Sequence, residues 1–129
     1  MEWINDLQKK TVGLDTAPLI YFIEENSAYI ETVRFFFEAM DRGDFMVVTS
    51  TVTLLEVLVH PLRRNNRELA TEYRDILLNS KLTTLEVSSS IAEQAAQLRA
   101  AHNIRTPDAI QISAALSAGA SHFFTNDIR

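Results

Sequence analysis

Residues 11–18 read TVGLDTAP, a short apolar run followed by an aspartate, a hydroxyl-bearing residue and a proline. The apolar run favours a β-strand that ends at Asp15. Pro18 suits the first turn of a following helix, where its missing N–H is not needed. The stretch therefore predicts a strand that passes within a few residues into a helix, with Asp15 between the two.

Strands and helices are expected to alternate along the rest of the chain. A helix that opens at Thr51 or Thr53 should end near His60, because Pro61 follows it. Strands are expected at 11–15, 45–49, 82–87 and 122–125, and further helices at 19–25, 28–42, 66–79, from 88–90 to about 102, and from 106 until Gly119. Parallel neighbours need such long crossovers, so the order predicts an α/β fold with a parallel sheet covered on both faces.

Composition and length limit the class of protein. The chain has 129 residues, enough for one domain with a hydrophobic core, so we expect a single domain over 1–129. The sequence contains no cysteine, which excludes disulfides and thiolate chemistry. Residues 1–6 do not resemble a signal peptide, and no run approaches the ~18 apolar residues that span a bilayer. We therefore expect a cytoplasmic protein that does not enter a membrane.

Four acidic residues stand where apolar runs meet a helix or a turn: Asp15, Glu56, Asp108 and Asp127. The carboxyl ends of parallel strands share one edge of a sheet, and ligands of such sheets bind beyond that edge. Converging carboxylates repel one another unless a cation binds between them. The four acids therefore predict a site for a hard divalent metal ion.

Each of these acids also has a structural explanation. Asp15 could cap a helix, Asp108 suits the helix dipole in a first turn, and Asp127 could simply be solvated. Glu56 is harder to explain, because it interrupts the apolar run at 54–59 and acids are seldom buried unpaired. The joint pattern favours the metal site over four separate explanations.

These stretches resemble the PIN-domain ribonucleases, of the type found as VapC toxins in bacterial and archaeal toxin–antitoxin pairs. The matching segments extend in order over nearly the whole chain: VGLDTAPLI at 12–20, VTLLEV at 52–57, TPDAIQ at 106–111 and FFTND at 123–127. Each segment alone is a weak signal, whereas four in order are specific. Family members usually continue into a further strand, and this sequence ends at Arg129.

The resemblance implies a three-layer α/β/α sandwich with a mainly parallel central sheet. It also implies four acids around one or two Mg²⁺ or Mn²⁺ ions: Asp15, Glu56, Asp108 and Asp127. Thr16 and Thr125 would support the site with their hydroxyls, although both residues also suit ordinary caps or turns. The implied activity is metal-dependent hydrolysis of RNA phosphodiester bonds. The implied partners are an RNA substrate, a small antitoxin protein and a second copy of the chain.

Basic residues are concentrated in one segment of an acidic chain. The net charge of −5 argues against non-specific nucleic-acid binding by the whole surface. Arg63, Arg64 and Arg67 nevertheless lie close in sequence, and at helical spacing Arg63 and Arg67 share a face with Arg74. The segment predicts either a solvated helix face, the commoner case, or a contact surface for RNA phosphates.

Apolar residues exceed what the helices of one small domain can bury. Phe35, Phe36 and Phe37 span too wide an arc for one buried stripe, so one of them should stay exposed or meet a partner. A second group adds to this excess: Leu54, Leu58 and Val59. The excess predicts self-association, and the family resemblance favours a dimer.

Other chemistries fit the sequence less well. The three histidines lack a metal-ligand spacing, and no Gly-x-Ser-x-Gly stretch is present. A phosphatase of the haloacid-dehalogenase type would need a second aspartate where Ala17 stands. Two alternatives stay open: a binding module of the same fold that recognises RNA or protein without cutting, and a nuclease of RNA maturation or DNA processing.

Overall fold

The structure, a computed structural model, describes residues 2–125. Its centre is a sheet of the strands β1 (Thr11–Leu14), β2 (Met46–Ser50), β3 (Thr83–Leu85) and β4 (His122–Phe124). The strands lie in the order β3-β2-β1-β4, and every neighbouring pair is parallel. The predicted parallel sheet is therefore confirmed.

One short helix precedes the first strand, and pairs of helices connect each strand to the next. They are α1 (Glu2–Asn5), α2 (Thr16–Ile23), α3 (Ile30–Asp41), α4 (Thr51–Arg63), α5 (Arg67–Leu78), α6 (Ser89–Ala101) and α7 (Thr106–Ser117). Val12 and Leu14 of β1 belong to the core cluster that includes side chains of α1 to α5, whereas Gly13 faces Ala115 of α7. Because successive residues of a strand point to opposite faces, helices cover both sides of the sheet. The three-layer α/β/α sandwich is confirmed.

Gly13 determines how closely α7 packs on β1. A Cβ atom at this position would lie 2.6 Å from Cβ of Ala115 and 2.7 Å from Cδ1 of Phe123. Real Cβ atoms do not approach this closely, so a larger residue would push α7 or β4 away. The close packing holds the first turn of α7, with Asp108, beside the carboxyl end of β1.

Aromatic packing confirms one detail of the sequence interpretation. Phe36 and Phe37 are buried, whereas Phe35 is 51% exposed, as expected for three consecutive phenylalanines on one helix. The Phe36 ring lies 4.5 Å from the ring of Phe124, measured between centroids. This contact joins α3 to the end of β4.

Two predictions for α4 are wrong. The helix is capped by Ser50, whose hydroxyl accepts from the N–H of Val52 at 3.2 Å, and not by Thr51 or Thr53. The helix also continues through Pro61 to Arg63. The proline ring is fully buried, and the bond from Arg64 N–H to His60 C=O resumes the helical ladder after it. Burial of the ring offsets the one hydrogen bond that proline removes.

Two further boundaries differ from expectation. α2 begins at Thr16 and not at Leu19, because Asp15 caps it directly after β1. The short helix α1 was not predicted, and it contributes the buried Ile4 to the core. No helix in the described part of the chain combines the length and apolar character that crossing a membrane requires.

Candidate active site

A cleft of about 840 Å³ opens at the carboxyl ends of β1 and β4. In the order β3-β2-β1-β4, the chain leaves β1 towards β2 and returns later to its other side with β4. Such a reversal of strand order is where open parallel sheets bind their ligands. Polar side chains around the cleft include Asp15, Arg99, Asn103, Arg105, Asp108 and Thr125.

Asp15 follows β1 and has both of its carboxylate oxygens in hydrogen bonds. Oδ1 accepts from the N–H of Thr16 at 2.8 Å, and Oδ2 accepts from the hydroxyl of Thr125 at 2.7 Å. Asp15 is therefore the N-cap of α2, as one of the two interpretations expected. A carboxylate offers about four lone-pair positions, so these two bonds fix its orientation and leave room for a cation.

Glu56 lies on α4 and joins the site through Thr16. The hydroxyl of Thr16 donates to Oε1 of Glu56 at 2.6 Å. The Glu56 side chain is exposed, and its neighbour Leu55 is 65% exposed. The sequence argument that Glu56 interrupts a buried apolar run is therefore wrong, because Leu55 and Glu56 lie on the outward side of α4 while Val57 faces the core.

A network of buried polar side chains lies beneath Thr16. The amide of Gln111 donates to the hydroxyls of Thr53 and Thr16, and its carbonyl oxygen accepts from Ser50 at 2.9 Å. Gln111 is 2% exposed, and Ser50 and Thr53 are fully buried. Sequence reasoning missed this network. The available signal was a glutamine inside the apolar pattern of α7, because buried amides require partners.

Asp108 lies in the first turn of α7 and lines the same cleft as Asp15. Its Oδ2 is 3.2 Å from Nε of Arg105, in an ion pair three residues apart. α7 begins without a side-chain cap, so Asp108 does not cap it. Arg99 lines the cleft as well, and its Nε donates to the carbonyl of Ile104 at 2.9 Å. Neither arginine was selected from the sequence.

The structure joins three of the four predicted acids to one region. Asp15 and Asp108 line one cleft, Glu56 is connected through Thr16, and Asp127 lies outside the described residues. Within residues 2–125, no three His, Asp or Glu side chains lie close enough to hold a metal ion. Mg²⁺ is usually bound by one or two carboxylates and keeps several waters. Asp15 and Asp108 supply carboxylate oxygens to one cleft, which agrees in donor type and number with a hydrated ion of this kind.

The basic segment lies elsewhere. Arg63 is the last residue of α4, Arg64 is its C-cap and Arg67 is the first residue of α5. The idea that Arg63 and Arg67 share one helix face is wrong, because a turn separates the two helices. Arg67 and Arg74 do line a common groove on α5. Among the described residues that line the cleft, none comes from this segment.

The fold and the cleft define an α/β protein whose acidic site lies at the carboxyl edge of a parallel sheet. Within that class, the chain belongs to the PIN domain family, whose model matches residues 12–129. Comparison with the sequences of curated proteins gave no match.

Several solved structures share the fold, and three of them are the following. VapC20 of Mycobacterium tuberculosis, a Sarcin-Ricin loop cleaving toxin, aligns with a TM-score of 0.75 at 19% identity over 91% of this chain and 90% of that one. VapBC2 from Rickettsia felis, bound to a DNA fragment from its promoter, aligns with a TM-score of 0.73 at 19% identity over 92% of this chain and 89% of that one. A toxin–antitoxin complex from Klebsiella pneumoniae aligns with a TM-score of 0.67 at 21% identity over 90% of this chain and 86% of that one.

Proposed function

We propose that the protein is a Mg²⁺- or Mn²⁺-dependent endoribonuclease and the toxin of a toxin–antitoxin pair, acting in the cytoplasm. One observation carries the proposal: Asp15 and Asp108 line a single cleft at the point where the strand order of the sheet reverses. Membership of the PIN domain family supports it.

The residues have distinct roles in this proposal. Asp15 and Asp108 would hold the metal ion, and Glu56 and Asp127 would contribute directly or through water. A bound ion of this kind supplies positive charge to phosphate oxygens and lowers the pKa of water. The hydroxyls of Thr16 and Thr125 donate to Glu56 and Asp15 and so fix where the carboxylate lone pairs point. In-line attack of water on a phosphodiester would leave a 5′-phosphate and a 3′-hydroxyl.

The proposed partners rest on the structural neighbours and on the charges of the chain. Two neighbours are toxin–antitoxin assemblies, which supports a small antitoxin as a protein partner. VapC20 is a Sarcin-Ricin loop cleaving toxin, which supports single-stranded or looped RNA as the substrate proposed for this chain. Arg63, Arg64 and Arg67 are proposed as outer contacts for RNA phosphates, because they concentrate positive charge at the α4–α5 connection.

Metal-dependent cleavage tests the proposed function. The wild-type protein should cut a mixed pool of single-stranded RNA in Mg²⁺ and should stop when EDTA is added. Asp15→Asn should lower the cleavage rate by at least about 100-fold, because it removes one negative charge from the metal site. Asparagine also caps helices well, so the variant should stay folded.

Asp44→Asn is the matched control for this experiment. Asp44 forms an ion pair with Arg42 at 2.9 Å and does not line the cleft. Its substitution should leave the cleavage rate unchanged. Cleavage that persists in EDTA, or that survives Asp15→Asn, would contradict the proposed function.

A binding module that does not cut RNA is the second candidate. It is favoured by the finding that only two acids of residues 2–125 line the cleft, one of them engaged by Arg105. Such a module would leave the RNA pool uncut in Mg²⁺.

A nuclease of RNA maturation would cut RNA but would not arrest cell growth when it is expressed. A toxin should arrest growth, and Asp15→Asn should relieve that arrest.

A further inference from the structure

Arg105 places a positive charge on one of the two acids of the cleft. Its Nε lies 3.2 Å from Oδ2 of Asp108. The Asp108 side chain is 32% exposed and the Arg105 side chain is 78% exposed. A cation of the chain itself therefore occupies a carboxylate oxygen that the proposed metal ion would need.

This ion pair is easily replaced. Pairs between exposed side chains contribute little, because water screens the attraction and two side chains must be ordered. A divalent ion would bring twice the charge to the Asp108 carboxylate and would also be attracted by Asp15, which lines the same cleft. Once the ion is bound, the guanidinium of Arg105 loses its partner but stays at the cleft that it lines.

Arg99 provides a second guanidinium in the same cleft. Its Nε donates to the carbonyl of Ile104, in the loop that carries Arg105 to the start of α7. Two guanidinium groups, Arg99 and Arg105, therefore line the same cleft as the two carboxylates, in a chain with net charge −5. Guanidinium groups match the geometry of phosphate oxygens and bind them with paired hydrogen bonds.

We propose that Arg105 exchanges between two partners, the Asp108 carboxylate in the absence of a divalent ion and a backbone phosphate of single-stranded RNA in its presence. The inference rests on the proposed function, because it uses the same cleft and the same ion. Binding of the ion frees the arginine that holds RNA. By linkage, RNA bound to Arg105 strengthens binding of the ion by the same factor.

Titration with Mn²⁺ alone tests the first half of the exchange. Arg105→Gln should bind Mn²⁺ about 2- to 5-fold more tightly than wild type in calorimetry, because no side-chain cation competes for Asp108. Arg105 makes no side-chain cap to α7, so its replacement leaves the helix start intact. Equal or weaker Mn²⁺ binding by the variant would overturn the exchange.

Binding of a single-stranded phosphorothioate RNA, which resists hydrolysis, tests the second half. With Mn²⁺ present, Arg105→Gln should lower the slope of log affinity against log salt by about 0.7, the value for one lost phosphate contact on a single strand. In EDTA the difference in slope between variant and wild type should be smaller, because the Asp108 carboxylate then competes with the phosphate for Arg105. A slope that is equal in Mn²⁺, or that differs equally in EDTA, would overturn the exchange.

Arg42→Gln is the matched control. Arg42, like Arg105, forms an ion pair with a nearby aspartate, Asp44, but it does not line the cleft. It should alter neither Mn²⁺ binding nor the salt slope, and an effect as large as that of Arg105→Gln would refute a local role. The Mn²⁺ titration requires no cleavage. A wild-type protein that does not cut RNA would therefore refute the proposed nuclease activity while the exchange at Asp108 is still measured.

Discussion

Gln111 shows how a buried side chain far from solvent can control the candidate site. Its amide connects Ser50 and Thr53 below to Thr16 above, and Thr16 donates to Glu56 at the surface. A buried donor or acceptor that loses its partner pays its full desolvation cost. The network therefore holds Thr16 and Glu56 in one arrangement, and Gln111 acts as a positioning residue.

Gln111→Met keeps the size of the side chain and removes its hydrogen bonds. We expect the free energy of unfolding to fall by about 1–3 kcal/mol, because the Ser50 and Thr53 hydroxyls lose a buried partner. Cleavage should lose kcat with little change in KM, since Glu56 is loosened while the cleft lining is kept. Denaturant unfolding measures the free energy of unfolding, and steady-state kinetics measure kcat and KM. Gln94→Met, at an exposed position of α6, is the control and should change neither stability nor kinetics. A Gln111→Met protein that is as stable and as active as wild type would refute the role of the network.

At the residue scale, the sequence predicted the positions that directly follow strands. Asp15 and Thr125 end up 2.7 Å apart because β1 and β4 are parallel neighbours and each residue comes just after its strand. Gln111 and Arg105 were not predictable in this way, since their contacts depend on how α7 packs against α4 and on loop conformation. Asp127 lies outside the described residues, so its role stays a prediction.

At the scale of elements, the packing of α7 on β1 links the fold to the site. Gly13 contacts Ala115, and Asp108 lies two turns before Ala115, at the N-terminal end of α7 beside the cleft. A displacement of this helix would move Asp108 relative to Asp15. Helix position and the separation of the two carboxylates are therefore coupled.

Gly13→Ala should destabilise the protein by about 1–3 kcal/mol, because its Cβ would overlap Ala115 and Phe123. It should also weaken Mn²⁺ binding, since α7 is displaced. When Ala115→Gly is added to Gly13→Ala, part of the lost stability and part of the lost Mn²⁺ affinity should return. The double variant should therefore be better than the sum of the two single effects predicts. Calorimetric Mn²⁺ titration and a double-mutant cycle of unfolding give these values. Additive effects of the two substitutions would show that this contact does not set the helix position.

Element boundaries were predictable where local chemistry acts alone. Asn66 and Ser88 cap α5 and α6, in agreement with the expected helix starts. The end of α4 was not predictable, because a proline ends a helix by local rules and only tertiary burial of Pro61 lets the helix continue.

At the scale of the molecule, the sequence predicted a parallel sheet with helices on both faces but no strand order. Nothing in a local pattern states that β4 returns to the free side of β1, and it is this return that creates the cleft. Which apolar residues lie on the surface was likewise not predictable from the local pattern alone. An apolar helix pattern predicts that some residues stay exposed, but only the packed structure shows which ones.

The exposed apolar residues of α4 offer one surface on which the predicted dimer would form. Leu55, Val59 and Leu62 of α4 are 65%, 44% and 54% exposed, and their spacing of four and three places them along one side of the helix. A symmetric dimer would bury the same surface on both copies. Phe35 on α3 is the exposed residue of the other apolar group.

Val59→Lys should dissociate this dimer without unfolding the chain. Wild type should sediment at micromolar concentration as a species of twice the 14.6 kDa chain mass, and the variant should weaken association by at least about tenfold, because it places a charge in an apolar contact. Surface changes of this kind alter the folding stability of the chain by less than about 0.5 kcal/mol, so the free energy of unfolding should be unchanged at concentrations where both proteins are monomeric. Leu78→Lys, on α5 at a position 55% exposed, is the control and should stay dimeric. A wild-type protein that sediments only as a monomer would refute the dimer, and dissociation by Leu78→Lys instead would move the interface from α4 to α5.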